Sequence, residues 1–331
     1  MKNCKIAYVF CCEYGILERL SKVLVNSLLK YGQIGHNSTI YCFCPRKKFQ
    51  PKKSTIEFFE RLNVKVITDN LNNKFSYYPI FNKVVASAYI EKYSFHDYIV
   101  FFDSDILVLN DLYSDKSVFT SDISVQKEFI ALVSAFDEND SHYSYWAKIF
   151  DILHVKVVKY SKLFVENIKT IAYWNSGFFV NRLSLGLMSQ WKENLEFLLN
   201  NYHWRNLEYF FLDQVSLSAT IQKMGLHVKE LPRGYNYPIS MHDDICAENK
   251  IENLSELIVC HYLKEYPATL ENLKKLGAED DEKIKWVEEQ FNRYNIYPKN
   301  YRSKFYDFAK SQRNINLQKL IYFSKKLGFA K

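Results

Sequence analysis

The sequence predicts an α/β fold: a mostly parallel central sheet with helices on both faces. Three observations carry this. Strand-like and helix-like stretches alternate over the first part of the chain, the order expected of a parallel sheet joined by crossover helices. The strand-like runs are apolar throughout, as suits strands covered on both faces. One of them, Tyr98-Ile99-Val100-Phe101-Phe102, ends abruptly in Asp103-Ser104-Asp105, at the carboxyl end of a strand, where open α/β sheets bind their ligands.

The elements follow in order. Residues 5–12 read as the first strand, so no leader segment is expected before it. Leu17, Leu20, Val23, Leu24 and Leu28 recur at helical spacing, and Tyr31-Gly32 ends that helix. Residues 39–44 form a second strand stopped by Pro45, Ser54 is placed to cap a helix through Leu62, and residues 64–67 are a short third strand. A helix over 81–93 leads into the Asp103 strand, and residues 122–125 make another strand. From 136 to 172 the chain is polar, aromatic and without a clear period, apart from a loop at 137–140 and a helix near 145–153. Order returns at residues 172–181, followed by helices over 184–200 and 213–224 and late strands at 228–231 and 257–260. The division expected is a main domain, 1–270, and a helical basic appendage, 271–331.

Composition removes several classes of function. An apolar content of 48% with 24% charged residues is that of a globular protein with a sizeable core. The glycine-rich dinucleotide fingerprint and the P-loop are both absent, so bound phosphates must be held by side chains or a metal. Seven cysteines without a Cys-x-x-Cys argue against a zinc site or disulfide framework and for a reducing, cytoplasmic setting. No apolar run reaches the length of a membrane span.

Charge is concentrated at one end. From Tyr301 onward eight basic residues face one acid, Asp307, so this segment carries the whole formal net charge of +7. With Phe305, Phe308, Tyr322 and Phe323 interleaved, it reads either as a helix on an anionic membrane surface or as one packed on its own domain. No nucleic-acid partner is expected, because the rest of the chain lacks a basic excess.

Chemistry concentrates in Asp103 and Asp105. Along an extended chain they point the same way, with α-carbons roughly 7 Å apart. Such a pair suits a hard divalent cation carrying a phosphorylated ligand; a solvated pair capping the strand is the plainer alternative. Three further segments accompany it: Tyr173-Trp174-Asn175-Ser176-Gly177, Leu212-Asp213-Gln214 and Val259-Cys260-His261.

In this order and spacing, over roughly residues 5–265, the four segments resemble GT-A fold glycosyltransferases, closest to glycosyltransferase family 8. The resemblance implies Mn²⁺ or Mg²⁺ on Asp103, Asp105 and His261, bridging the diphosphate of a nucleotide sugar, most simply a UDP-sugar. It implies that the Asn175-Ser176-Gly177 turn contacts the donor sugar. Asp213 and Gln214 would then lie near the anomeric carbon, although Asp213 is also placed to cap its helix. Lys83 matches the family's basic residue before the metal strand. Cys11-Cys12-Glu13-Tyr14 is placed to touch the base, with Tyr14 as a stacking candidate. Two departures stand out: Val215 where the family has a third polar residue after Asp-Gln, and Lys264 on an altered loop after His261, where it would grip phosphate.

The activity implied is transfer of a sugar to a hydroxyl of a glycan, with retention of configuration, an inverting route through a carboxylate base being the alternative; the basic tail suggests a lipid-linked or membrane-side acceptor, as in lipopolysaccharide synthesis, and a peripheral position at the cytoplasmic membrane face. Two alternatives remain at this stage: a nucleotide-sugar-binding homologue without turnover, and a haloacid-dehalogenase-type phosphatase whose late acidic pair would be Asp243-Asp244.

Overall fold

A computed structural model describes residues 4–296, except 205, 264, 279 and 280. The elements are β1 (Ile6–Cys11), α1 (Ile16–Tyr31), β2 (Ser38–Phe43), α2 (Lys53–Arg61), β3 (Lys65–Ile67), α3 (Phe81–Tyr93), β4 (Tyr98–Phe102), β5 (Ile106–Val108) and β6 (Ile123–Lys127). Then come α4 (Tyr143–Leu153), β7 (Tyr160–Lys162), β8 (Lys169–Ile171), β9 (Trp174–Arg182), α5 (Leu187–Asn201), α6 (Asn206–Phe210) and α7 (Leu212–Lys223). The described part ends with β10 (Val228–Glu230), β11 (Tyr237–Pro238), β12 (Val259–His261), α8 (Tyr266–Leu276) and α9 (Glu282–Arg293).

The central sheet has seven strands in the order β10-β6-β9-β4-β1-β2-β3. All neighbours are parallel except β9, which runs antiparallel to both β4 and β6. The mostly parallel sheet is therefore as the sequence predicts. Burial explains the unbroken apolar runs: Ala7, Val9, Ile99 and Phe101 pack into the cluster formed with α3, α4, α5 and α7. Their alternates Ile6, Tyr8, Phe10, Val100 and Phe102 pack toward α1 and α2. With side chains alternating along a strand, both faces are covered, so both must be apolar.

A second, three-stranded sheet, β11-β12-β5, lies beside the first. Its core joins Leu107, Tyr237 and Tyr262 to Tyr266, Leu273, Val287 and Phe291 of α8 and α9. Residue 270, where the sequence suggests a boundary, lies within α8, and both helices share that one core. The basic segment 301–331 lies outside the described residues.

Local detail differs at two places. Ser54 sits inside α2, whose N-cap is Lys52, and it makes no capping bond. Within 136–172 the helix expected near 145–153 is present as α4, whereas the β7–β8 hairpin is not foreseen, its three-residue strands being too short to show a period.

Candidate functional site

The carboxyl ends of β1 and β4 and the amino end of the reversed β9 meet at one edge of the sheet, which opens into a cavity of about 610 Å³. Its polar floor includes Lys83, Asp103, Asp105, Asp213, Gln214 and His261. Its walls are apolar: Pro79, Ile80, Phe210 and Phe211 in one group, Ile130, Leu132 and Met241 in another. A volume of this size suits a substrate-sized ligand.

Asp103-Ser104-Asp105 is a turn between β4 and β5, not a continuation of the extended strand. That turn replaces the expected in-line spacing with convergence. Beyond it, β5 pairs antiparallel with β12 in the register His261↔Ile106, which carries the late histidine to the acid pair. One ligand atom from each of Asp103, Asp105 and His261 lies within 4.8 Å of the others, and His261 Nε2 is 3.6 Å from Asp105 Oδ1. Two carboxylates and an imidazole are a donor set suited to Mn²⁺ and open to Mg²⁺.

Gly177 lies against this centre. It belongs to β9, a nine-residue strand, so Asn175-Ser176-Gly177 is not the turn the sequence suggests. The glycine serves close approach instead: a Cβ there would stand 2.7 Å from His261 Cε1, 2.9 Å from Asn175 Oδ1 and 3.1 Å from Asp103 Oδ2. The space a side chain would fill is the space the cluster uses. The residues present thus fit a divalent metal.

Lys83 ties the acids together. Its ammonium donates to Asp103 Oδ2 at 2.9 Å and to Ser176 Oγ at 3.3 Å, and lies 3.7 Å from Asp213 Oδ2. Burial alone would push its pKa down, but Asp103, Asp213 and Asp105 outweigh burial and hold it above the ordinary lysine value. Burial raises the Asp213 carboxyl, against the pull of Lys83 and the bond from Ser176. Asp213 is not the cap of α7: it sits in the first turn after the N-cap Phe211, and its carboxylate accepts from Ser176 Oγ at 3.0 Å. Gln214 Oε1 accepts from Ser176 N at 2.9 Å.

Nine of the eleven residues singled out in the sequence line this cavity: Lys83, Asp103, Asp105, Asn175, Ser176, Gly177, Asp213, Gln214 and His261. Tyr14 does not. It is 62% exposed, beneath Lys52, while its neighbours Cys11 and Glu13 line the cavity. Lys264 lies outside the described residues, and Val215 is buried in the core behind α7. The late acids Asp243 and Asp244 are absent from the cavity lining, and Asp243 pairs with Lys275 at 2.7 Å, so the phosphatase reading loses its second acidic pair.

Sequence reasoning missed two residues. Glu128, directly after β6, is 3% exposed and lines the cavity; burial raises its carboxyl to about 7 against the bonds it accepts from Asn175, Phe129 and Gln214. Asn236 is fully buried beside His261 Nδ1, 3.0 Å away. Glu128 carried one signal, its place at the carboxyl end of a sheet strand; Asn236 carried none.

Residues 8–225, about two-thirds of the chain, match a family model described as the Rhodobacterales glycosyltransferase domain. Among solved structures, the galactosyltransferase LgtC in complex with donor and acceptor sugar analogs matches at 14% identity and a TM-score of 0.51, over 90% of this chain and 99% of that one. Mouse xyloside xylosyltransferase 1 in its apo form matches at 14% identity and 0.47, over 77% and 97%. The apo bifunctional glycosyltransferase WbbM matches at 12% identity and 0.49, over 87% and 52%, so this chain spans about half of its length. Likeness at these identities speaks for the fold, and LgtC carries that argument. No curated protein sequence matches the chain.

Proposed function

This chain belongs to the Rhodobacterales glycosyltransferase domain family and is a GT-A fold glycosyltransferase, and from that premise we propose that it moves a sugar from a UDP-sugar to a hydroxyl of a glycan or lipid-linked glycan, with a divalent metal and with retention of configuration. The observation that carries this reading is the meeting of Asp103, Asp105 and His261 on the cavity floor.

In this reading those three residues hold Mn²⁺ or Mg²⁺, whose chemistry when bound is to neutralise charge on the departing diphosphate. Lys83 adds a fixed positive charge beside the metal centre. Ser176 and Asp213 orient the sugar by hydrogen bonds, Gln214, bonded at both ends of its amide, holds Ser176 in place near the reacting face, and Gly177 keeps the floor low enough for it. Asn175 contributes indirectly, because both ends of its amide are already bonded within the protein. Cys11 and Glu13, at the end of β1, mark the side of the cavity where the base would lie. Retention follows the family resemblance; an inverting route would call on Glu128, whose Oε2 alone takes the two side-chain amide bonds. The anomeric configuration of the product, read by proton NMR, decides this point.

The apolar walls suit an acceptor with an apolar portion beside its hydroxyl. Together with the basic, aromatic segment 301–331, they favour a lipid-linked acceptor at the cytoplasmic face of a membrane. No helix among the described residues is long and apolar enough to cross one.

Calorimetry of UDP binding, with and without Mn²⁺, tests the reading on wild type and on the Asp103→Asn/Asp105→Asn double variant. Micromolar binding that needs both the metal and the two carboxylates is expected. Absence of metal-dependent binding to UDP or any other nucleoside diphosphate would overturn it. Hydrolysis or transfer from a panel of UDP-sugars then separates an active transferase from a homologue that only binds.

A further inference from the structure

One buried carboxylate stands where the two halves of the cavity floor meet. Glu128 accepts on a single oxygen, Oε2, from two side-chain amides: Asn175 Nδ2 at 3.1 Å and Gln214 Nε2. The other end of each amide is also committed. Gln214 Oε1 accepts from Ser176 N at 2.9 Å. Asn175 Oδ1 accepts from Gly177 N at 2.9 Å and from Asn236 Nδ2 at 3.0 Å. Asn236 Oδ1 in turn lies 3.0 Å from His261 Nδ1.

A side-chain amide turned end for end keeps its shape, so its partners alone decide its polarity. Here they leave one arrangement. Turning Gln214 over would set its carbonyl against the Glu128 carboxylate and its amino group against the Ser176 N–H. Turning Asn175 over would create the same two conflicts, with Glu128 and with Gly177. Once Asn175 is fixed, Asn236 must offer its amino group to Asn175 and its oxygen to His261. An oxygen facing Nδ1 requires the proton on Nδ1, which leaves the lone pair on Nε2, the nitrogen 3.6 Å from Asp105 Oδ1. Neutral imidazole with a free Nε2 is a form that ligates a metal, and the hydrogen bond at the other nitrogen selects it. The arrangement does not depend on the charge of Glu128, since a proton on Oε1 leaves Oε2 an acceptor.

We infer that Asn236 is a positioning residue that sets the tautomer of His261, its own polarity being fixed through Asn175 by the Gly177 N–H and the Glu128 carboxylate together. The consequence for metal binding rests on the reading of Asp103, Asp105 and His261 as a metal centre; the tautomer itself does not.

The experiment uses the full chain, ¹⁵N-labelled and metal-free, with long-range proton–nitrogen spectra of the histidines and the His261 signals assigned with a His261→Gln variant. Wild type should show the proton on Nδ1. Asn236→Ala, which removes the acceptor facing Nδ1, should show a mixture of tautomers, and its Mn²⁺ affinity by calorimetry should fall by about 10- to 100-fold. Asn236→Leu, close in shape and without an acceptor, tests the same point if Asn236→Ala does not fold. A His261 that keeps its proton on Nδ1, with unchanged Mn²⁺ affinity, in whichever of the two single variants folds, overturns the inference. Wild type that binds no Mn²⁺ would instead sink the metal reading, while the tautomer shift is still read without metal.

Discussion

Two buried charged clusters lie side by side at the carboxyl edge of the sheet, built on opposite plans. Around Arg46 every charge is matched. Its Nε donates to Glu13 Oε1 at 2.5 Å, one terminal nitrogen reaches Glu13 Oε2, and the other donates to Ser76 O at 2.7 Å. Asn82 Nδ2 adds a bond to Glu13 Oε1 at 2.7 Å, and the guanidinium sits 4.0 Å from the centre of the Phe49 ring. Around Lys83 one ammonium faces Asp103, Asp213 and Asp105 together. Both clusters line or adjoin the same cavity, but the first is complete in itself. The second gathers three carboxylates around one ammonium, and in the reading proposed above it is where a cation from outside the chain would bind.

Breaking the matched pair should have the largest effect. Arg46→Ala leaves Glu13 buried without its cation and should cost about 3–5 kcal/mol in urea unfolding, as expected when one member of a buried pair is removed. Replacing Glu13 and Arg46 together by apolar residues should restore most of it. A loss under about 1 kcal/mol for Arg46→Ala would show that the pair is not closed in the sense described.

Glu128 sharpens the contrast, because no Arg or Lys stands against it as Arg46 does against Glu13 among the described residues. Its carboxyl is raised from an ordinary 4.5 to about 7 by burial. A raised folded-state value means that stability is fully present below the unfolded value and is lost as pH rises through the folded one. Glu128→Gln does not titrate and should escape this loss. Relative to the variant, wild type should lose of order 2–3 kcal/mol between pH 4.5 and 8, read from urea midpoints across that range. Parallel pH profiles for the two proteins would contradict a buried, raised carboxyl.

The smallest effect tests the open cluster. Gly177→Ala places a methyl 2.7 Å from His261 Cε1, so the ring must shift away from the acids. Mn²⁺ affinity should drop by about tenfold, roughly 1.4 kcal/mol, with the fold retained. Unchanged affinity would mean that the space beside Gly177 is not used by a metal.

What could be read in advance follows from the range of each signal. Apolar runs such as Tyr98 to Phe102 report burial on both faces locally, and so the sheet was legible. The direction of β9 was not, because an apolar run reads the same for either direction. His261 was legible through the order of motifs, and the register of β12 against β5 explains why it arrives. The Asp103-Ser104-Asp105 turn was misread as extended, since two carboxylates at alternate positions look alike in a strand and in a turn. Tyr14 stood next to the right residues but points to solvent. Glu128 and Asn236 were invisible for a different reason. Their significance lies in amides brought to them from β9 and α7, and no local pattern encodes that meeting.

The reversal of β9 bears on how this enzyme can change over evolutionary time. It puts Asn175, Ser176 and Gly177 inside a hydrogen-bonded strand, between β4 and β6, instead of on a loop. An inserted or deleted residue there would turn every following side chain to the opposite face. The wall residues Ile130 and Leu132 lie in the irregular stretch after β6, and Phe211 in the joint between α6 and α7, outside any strand register. Asn175, Ser176 and Gly177 are thus open to revision by substitution alone, while the wall positions are held by packing and not by register.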